Sequence, residues 1–384
     1  MLSIDFLTQA QMQQAHDLWA YCFGDAPSFI DWFFESRLWP ENALGWFDDG
    51  RLLAVVHMVP RVMMVRGVPL DTAMILGVAT WPHARGKGGV SQLLRRALEV
   101  AAERGQELLP LYPFDHAFYR RLGWTTAYER LHIEAPLTAL ASHKHPAVTL
   151  KPAVPDEVHL SAFARVYDAR VAQCSGYLLR DERDWHLRAE EMTLDGAHGL
   201  LAYRDDEPVG AMIYALSGTT IEVQEWLATT HAAEQAMLGY LGAHASTHEN
   251  TKLWLAPDAP LRTLLPGAKQ GFRLASDTML RTVNAARLMA ALALSGPSAT
   301  IRLTDAVLPH NNGVFALADG ALHPLNETAA AEATLSIEAF TALVSGALSP
   351  HQCAWLGMLA GSDDALERLS AWFPKTQACI FEYW

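Results

Sequence analysis

The sequence predicts a mixed α/β protein built from three units. Apolar runs of strand length, Leu52–Val59, Val62–Val65 and Leu76–Thr80, alternate with stretches of helical periodicity, the clearest over 89–104. The order of elements in the first unit recurs, without obvious sequence identity, in a second. Composition then shifts near Met279, where an Ala-rich third unit begins.

In the first unit, residues 9–23 place Met12, Ala15, Leu18, Trp19 and Cys22 on one helical stripe. Residues 28–38 do the same with Phe29, Ile30, Phe33 and Phe34, and Trp39-Pro40 ends that helix. Asp48-Asp49-Gly50 signals a hairpin between Gly45–Phe47 and Leu52–Val59, and Arg66-Gly67 lies between Val62–Val65 and Val68–Leu70. Leu76–Thr80 reads as a short strand after Asp71. Over 89–104, Val90, Leu93, Leu94, Ala97, Leu98 and Ala101 face inward, with Gly105 as the cap. Leu108–Tyr112 is a strand stopped by Pro113, and His116–Arg121 makes a short helix before Gly123.

Ser142–Pro155 carries three prolines and reads as a connection. The second unit has helices at Ala162–Gln173 and Trp185–Met192, and strands at Gly199–Tyr203, Pro208–Tyr214 and Glu222–Leu227. A helix over His231–Ala245 and a strand at Leu253–Leu255 complete it. In the third unit, 284–294, Leu335–Leu348 and Asp364–Phe373 read as helices, and Ala299–Leu303 and Gly313–Ala318 as strands. The chain ends Ala378-Cys379-Ile380-Phe381-Glu382-Tyr383-Trp384, apolar to the last position, which predicts a terminus tucked into protein.

Composition narrows the function. With 384 residues, two to three domains are expected. Apolar residues at 51% and charged residues at 18% exclude wholesale disorder. Lys and Arg number 29 against 42 Asp and Glu, a formal charge of −13, so neither nucleic acid nor an anionic membrane is an expected partner. Cys22, Cys174, Cys353 and Cys379 are far apart and form no C-x-x-C pair, so no disulfide framework or zinc site is expected. His143 and His145 lack Cys or acidic neighbours and read as a solvated linker, so no metal is expected. The polar N-terminus is no signal peptide, no apolar run spans a membrane, and the setting expected is cytoplasmic.

The informative segment is Leu76-Gly77-Val78-Ala79-Thr80-Trp81-Pro82-His83-Ala84-Arg85-Gly86-Lys87-Gly88-Gly89-Val90-Ser91. A strand leads through a Pro turn into a Gly-rich loop that opens a long helix, the arrangement that presents free backbone N–H groups to an anion. Gly86, Gly88 and Gly89 allow close backbone approach, and Arg85 and Lys87 add positive charge. A Walker loop fails, because Trp81 and Gly88 stand where Gly and Ser or Thr are needed. A dinucleotide fingerprint, Gly86-x-Gly88-x-x-Ser91, lacks its third Gly and follows its strand too late. The acetyl-CoA pyrophosphate pattern Arg/Gln-x-x-Gly-x-Gly/Ala fits Arg85 to Gly89 and departs at Val90.

On that loop, on Tyr112-Pro-Phe-x-x-x-Phe118-Tyr119-Arg-Arg-Leu-Gly-Trp124, on Tyr177-Leu-Leu-Arg-Asp-Glu-x-x-Trp185 and on Met279-Leu-Arg-Thr-Val-Asn284, the chain resembles the GNAT acetyltransferase superfamily, specifically the "enhanced intracellular survival" (Eis) type, over essentially its full length. The resemblance implies tandem GNAT-like domains at 1–145 and 146–280, the second degenerate, and a sterol-carrier-protein-like domain at 281–384. It implies acetyl-CoA as cosubstrate, an amine acceptor and a homo-oligomer, commonly a hexamer. Val78, Ala79 and Thr80 then lie along the pantetheine arm, Gly86, Lys87, Gly88, Gly89, Val90 and Ser91 cradle the pyrophosphate, and Arg85 sits at the loop's edge. Phe114 and Asp115 complete the cofactor wall. Tyr119 matches the general acid and the carboxylate of Trp384 the general base, with Trp where the family usually ends in Phe. Asp25 and Glu382 are candidates to hold an acceptor ammonium; Asp25 also reads as a turn or N-cap residue before Ser28. Tyr119 alone, without the resemblance, reads as packing like its neighbour Phe118. The activity expected is N-acetylation of a primary amine on an aminoglycoside-like compound, a polyamine or a lysine side chain; the alternative is a non-catalytic acyl-CoA or apolar-ligand sensor.

Overall fold

A computed structural model describes residues 1–172, 174–257, 259–263 and 272–376. They form two compact units, one of residues 1–128 with 276–376, the other of residues 129–275.

The first unit opens with β1 (Leu2–Phe6), α1 (Met12–Phe23), α2 (Pro27–Ser36), β2 (Ala43–Asp48), β3 (Arg51–Val65) and β4 (Val68–Thr80). It continues through α3 (Gly89–Glu103), β5 (Leu108–Leu111) and α4 (His116–Arg120), and β6 (Thr125–Pro136) leads out of it. Strands β1 to β5 lie side by side in chain order, antiparallel up to β4, with β5 parallel to β4. Alternation sets the two faces. Trp46, Ala54, Val56 and Met58 pack with Leu93, Leu94, Ala97 and Leu98 of α3. Phe47, Leu52, Val55 and Val59 pack with Leu18 and Trp19 of α1 and Ile30 and Phe33 of α2. The sequence breaks β3 at Pro60 and β4 at Asp71, but both strands run through, with Pro60 opposite Ala73 and Val62 opposite Asp71. Beyond His57, β3 has outrun β2, while its pairing with β4 continues to the turn.

The second unit holds β7 (Thr149–Ala153), α5 (Glu157–Val171), β8 (Tyr177–Leu178), α6 (Glu182–Leu194), β9 (His198–Arg204), β10 (Glu207–Ser217) and β11 (Thr220–Ala228). After α7 (His231–Gly242) and β12 (Asn250–Leu255), β13 (Phe272–Thr282) returns to the first unit. The strand order is β6-β12-β11-β10-β9-β7. The stretch read as a connection holds a strand, β7, and His143 is half-buried, its Nδ1 meeting Gln235 Oε1 of α7 at 2.9 Å.

The C-terminal part of the first unit comprises α8 (Ala285–Leu292), β14 (Ala299–Thr304), β15 (Gly313–Ala318), β16 (Ala321–Leu325), β17 (Ala333–Ser336), α9 (Ile337–Ser345), α10 (Pro350–Trp355), β18 (Leu359–Gly361) and α11 (Asp363–Trp372). Its sheet runs β16-β15-β14-β17-β18. The helix expected over Leu335–Leu348 begins later and ends sooner. Leu335 belongs to β17, Ser336 caps α9 through Ala339 N, and Gly346 at φ +80° stops it. Strand β13 adds antiparallel to β5, and its Arg281 is fully buried. The Arg281 guanidinium donates to both Asp305 oxygens at 2.7 and 2.8 Å and to Leu122 O at 3.0 Å.

Candidate active site

Strands β4 and β5 pair only at Thr72 with Leu108 and Ile75 with Leu111. From Leu76 to Thr80, β4 continues past the end of β5. On its other edge β4 carries a bulge: Val55 faces Ala79 and His57 faces Leu76, so Gly77 and Val78 share the place opposite Val56. Gly77 has φ +57°, and a Cβ there would collide with the Trp19 ring and lie 2.9 Å from His57 Cδ2. Glycine is required there by conformation and by space.

Past Thr80, a 3-10 turn at Pro82–Ala84 leads to Gly86 at φ +75° and Gly88 at φ +81°, the N-cap of α3. Gln92 N is the first amide of the helix to find an acceptor, Gly88 O at 3.1 Å. The amides of residues 86–91 have no acceptor among the described residues. No acidic residue occupies the first turn, so the positive helix end is uncompensated. Arg85 and Lys87 are exposed beside it, and Arg85 Nε donates to Thr80 O at 3.3 Å. Gly89 packs face-on to Trp46, leaving no space for a Cβ. Val90, the departure from the small-residue pattern, packs against the α3 core, while Ser91 is half-buried.

After β5, Asp115 caps α4: its Oδ1 accepts from Ala117 N at 2.7 Å and Phe118 N at 3.2 Å. Phe114 is 70% exposed and rests on Phe118 and Tyr119, with centroids 5.3 and 5.4 Å apart. Tyr119 is only 1% exposed and shares the core cluster of Ile75, Ala84 and Trp124. Its hydroxyl has no hydrogen-bond partner among the described residues, and burial pushes its pKa well above the ordinary value of a phenol, so it stays protonated.

Asp25 is exposed and accepts from Trp19 Nε1 at 2.9 Å. It caps no helix, since Ala26 is the N-cap of α2. The same Trp19 ring meets Phe23 at 4.9 Å, and Phe23 is exposed. An exposed carboxylate held by an indole N–H is free on its other side to meet a cation. Glu382 and Trp384 lie outside the described residues.

Sequence reasoning missed His57. It is fully buried beside the Gly77 bulge, with ring contacts to Trp19 and Phe34, and both ring nitrogens lack a partner. Burial lowers its pKa to about 3, so it is neutral near pH 7. A lone His in an apolar run was the available signal, and only the tertiary packing marks it out. Among the described residues no group of three or more His, Cys, Asp or Glu could hold a metal, and no helix is long and apolar enough to cross a membrane.

Comparison with known proteins agrees with this geometry. Family profiles described as Acetyltransferase (GNAT) domain match residues 3–127 and, separately, 176–287; a sterol carrier protein domain profile matches 285–381. Uncharacterized N-acetyltransferases of Streptomyces griseus and Streptomyces avermitilis are 28% identical over 247 residues and 27% over 258. Those alignments cover 58% and 60% of this chain, and the chain spans about three fifths of the length of these relatives, 59% and 60%. Among solved structures, a GCN5-related N-acetyltransferase from Anabaena variabilis superposes with TM-score 0.89 at 20% identity, each chain covered in full. One from Kribbella flavida gives 0.86 at 22%, covering 100% of this chain and 98% of that one. Eis1 from Mycobacterium abscessus gives 0.81 at 20%, with full coverage of both. At these identities the structures attest the fold.

Proposed function

The chain belongs to the GNAT acetyltransferases, in the Eis-type order of two GNAT domains and a sterol carrier protein domain, and on that premise we propose that it transfers the acetyl group of acetyl-CoA to a primary amine of a cationic acceptor. One observation carries the reading: the six unsatisfied amides of residues 86–91 follow, after one 3-10 turn, on a strand edge that its neighbour leaves open. The open edge, Val78 to Thr80, suits the amide-bearing pantetheine arm, and the amides suit a diphosphate. Arg85 and Lys87 supply charge, and Phe114 offers an apolar wall. Asp115 acts there by holding α4, since its carboxylate caps that helix.

Acetyl-CoA supplies the thioester that the amine attacks. Tyr119 gives the departing sulfur its proton; burial keeps that phenol protonated. The acceptor amine must be neutral, and the terminal carboxylate of Trp384, ionised at pH 7, takes its proton. Asp25, exposed and held by the Trp19 N–H, and Glu382 draw in the ammonium form. Aminoglycosides, polyamines and lysine side chains all fit this description. We further propose a cytoplasmic homo-oligomer, a hexamer as in the resembling type, which mass photometry would check.

Calorimetry with CoA, followed by a thiol-release assay against an amine panel, tests the reading. Micromolar CoA binding with acceptor-dependent thiol release is expected. Tight CoA binding with no release from any amine would instead identify a sensor. Tyr119→Phe should lower kcat about 10²-fold or more while CoA affinity changes by no more than a few fold. Near-wild-type turnover in that variant removes Tyr119 from the chemistry.

A further inference from the structure

We propose that Trp19 is a positioning residue for the acceptor: its indole seats on the glycine bulge of β4 and holds the Asp25 carboxylate at a set distance from that strand. The proposal rests on the reading that Asp25 draws in the acceptor ammonium.

The first observation is how the indole is fixed. Trp19 stands on α1 and is buried. Its six-membered ring lies against Gly77, where a Cβ would overlap its Cζ3 and Cε3. Phe23, Phe33, Phe34 and His57 close around it, their ring centroids 4.9, 5.3, 5.7 and 6.0 Å away. Packing this close leaves the ring no second orientation. Gly77 stands in the β4 bulge, directly before Val78 to Thr80, the candidate pantetheine edge. The place that a side chain at Gly77 would take is therefore filled by Trp19.

The second observation is what the indole holds. Its Nε1, at the opposite end of the ring system from Cζ3, donates to Asp25 Oδ2 at 2.9 Å. Trp124 and Trp372 give their N–H groups to main-chain carbonyls, Leu109 O and Pro297 O. Trp19 gives its own to an exposed carboxylate. Asp25 follows Gly24, which ends α1 at φ +72° and where a Cβ would touch nothing. Among the described residues, the Trp19 N–H is the one hydrogen-bond donor to this carboxylate. The nearby acids are engaged otherwise: Asp17 accepts from Gln13, and Asp31 pairs with His16. A rigid indole thus spans from the cofactor strand to the acceptor carboxylate. A carboxylate ordered in advance loses little freedom when an ammonium docks, so the ordering cost of binding falls. Trp19 acts through Asp25, on acceptor binding and not on the chemical step.

The test uses the full-length enzyme with acetyl-CoA and the fastest of spermidine, kanamycin and lysine amide. Asp25→Asn should raise the acceptor KM about tenfold or more. Trp19→Phe, which keeps an aromatic ring and removes the N–H, should raise it about three- to tenfold. In both, kcat and the KM for acetyl-CoA should stay within about twofold; a purely structural Trp19 would leave the acceptor KM where it was. Trp19→Phe should add little to Asp25→Asn, because the indole acts through that carboxylate. An unchanged acceptor KM in Trp19→Phe, or losses that simply multiply in the double variant, overturn the proposal and leave Asp25 its role. An unchanged KM in Asp25→Asn refutes the Asp25 reading itself, a different failure, and takes the role of Trp19 with it. Indole N–H resonances guard against a Trp19→Phe that fails to fold. The signal that Asp25→Asn moves should also move when the acceptor is added to wild-type enzyme, and a signal that stays in place overturns the proposal as well.

Discussion

The two GNAT domains share a frame and differ at one junction. In both, the fourth-strand equivalent bulges, at Gly77-Val78 in β4 and at Gln224 in β11, and in both it pairs with its parallel neighbour only over its first part. In the first domain, residues 81–88 then form a glycine loop whose last residue, Gly88, caps α3 without a side chain. In the second, only Thr229 and Thr230 separate β11 from α7. Thr230 Oγ1 accepts from Ala233 N at 3.2 Å, and Glu234 places an acid in the first turn. The second helix start has a side-chain cap of its own; the first has none. Beside the second bulge, Glu225 forms an ion pair with Arg180 at 2.8 Å, and Arg180 lies over the rings of Tyr167 and Trp185 at 4.3 and 4.8 Å. The Tyr177–Trp185 motif is thereby a packing motif: Arg180 pairs with Glu225, and Asp181 caps α6.

The sharpest way to break this contrast is Gly88→Pro. Gly88 sits at φ +81°, which proline cannot adopt, and the change also removes an amide. CoA affinity should fall at least hundredfold by calorimetry, and unaltered heats would end the claim that the two helix starts differ in function. Glu225→Ala should do the opposite, costing about 3–5 kcal/mol in urea unfolding by removing the buried carboxylate that faces both Arg180 and Arg188, with CoA binding retained. A loss of CoA binding at native temperatures would show that the second domain takes part in the site.

His57 builds an acid-sensitive element into the first domain. Its folded pKa of about 3 lies below the ordinary 6.5, so between those values the unfolded chain binds a proton that the folded chain does not. Its contribution is complete above about pH 6.5 and declines by about 1.4 kcal/mol per unit as pH falls toward 3. Unfolding measured from pH 7 to 4 should show a slope shallower by that amount in His57→Leu. Smallest of all, Thr230→Ala should cost about 1 kcal/mol and leave turnover unchanged, since that cap serves only its own helix.

Much of this was legible in the sequence. The stripes at 9–23 and 89–104, the Asp49-Gly50 hairpin and the glycine loop all report local geometry, which a few neighbouring residues dictate. Pro60 and Asp71 misled because local breaker signals were read as strand ends, whereas both residues take paired places in one continuous β3–β4 ladder, and Leu335 misled because an apolar residue before Ser336 fits a strand end as well as a helix.

The sequence by itself determined where backbone must turn, which faces are apolar and which amides a helix start leaves open, because those follow from φ, ψ and period within a few residues. Only the tertiary structure decided that His57 is sealed without a partner, that Asp25 takes a tryptophan N–H rather than capping a helix, and that Arg66 reaches carbonyls 277 residues or more away. A side chain's partner is set by long-range chain closure and close packing, and neither leaves a periodic trace along the chain.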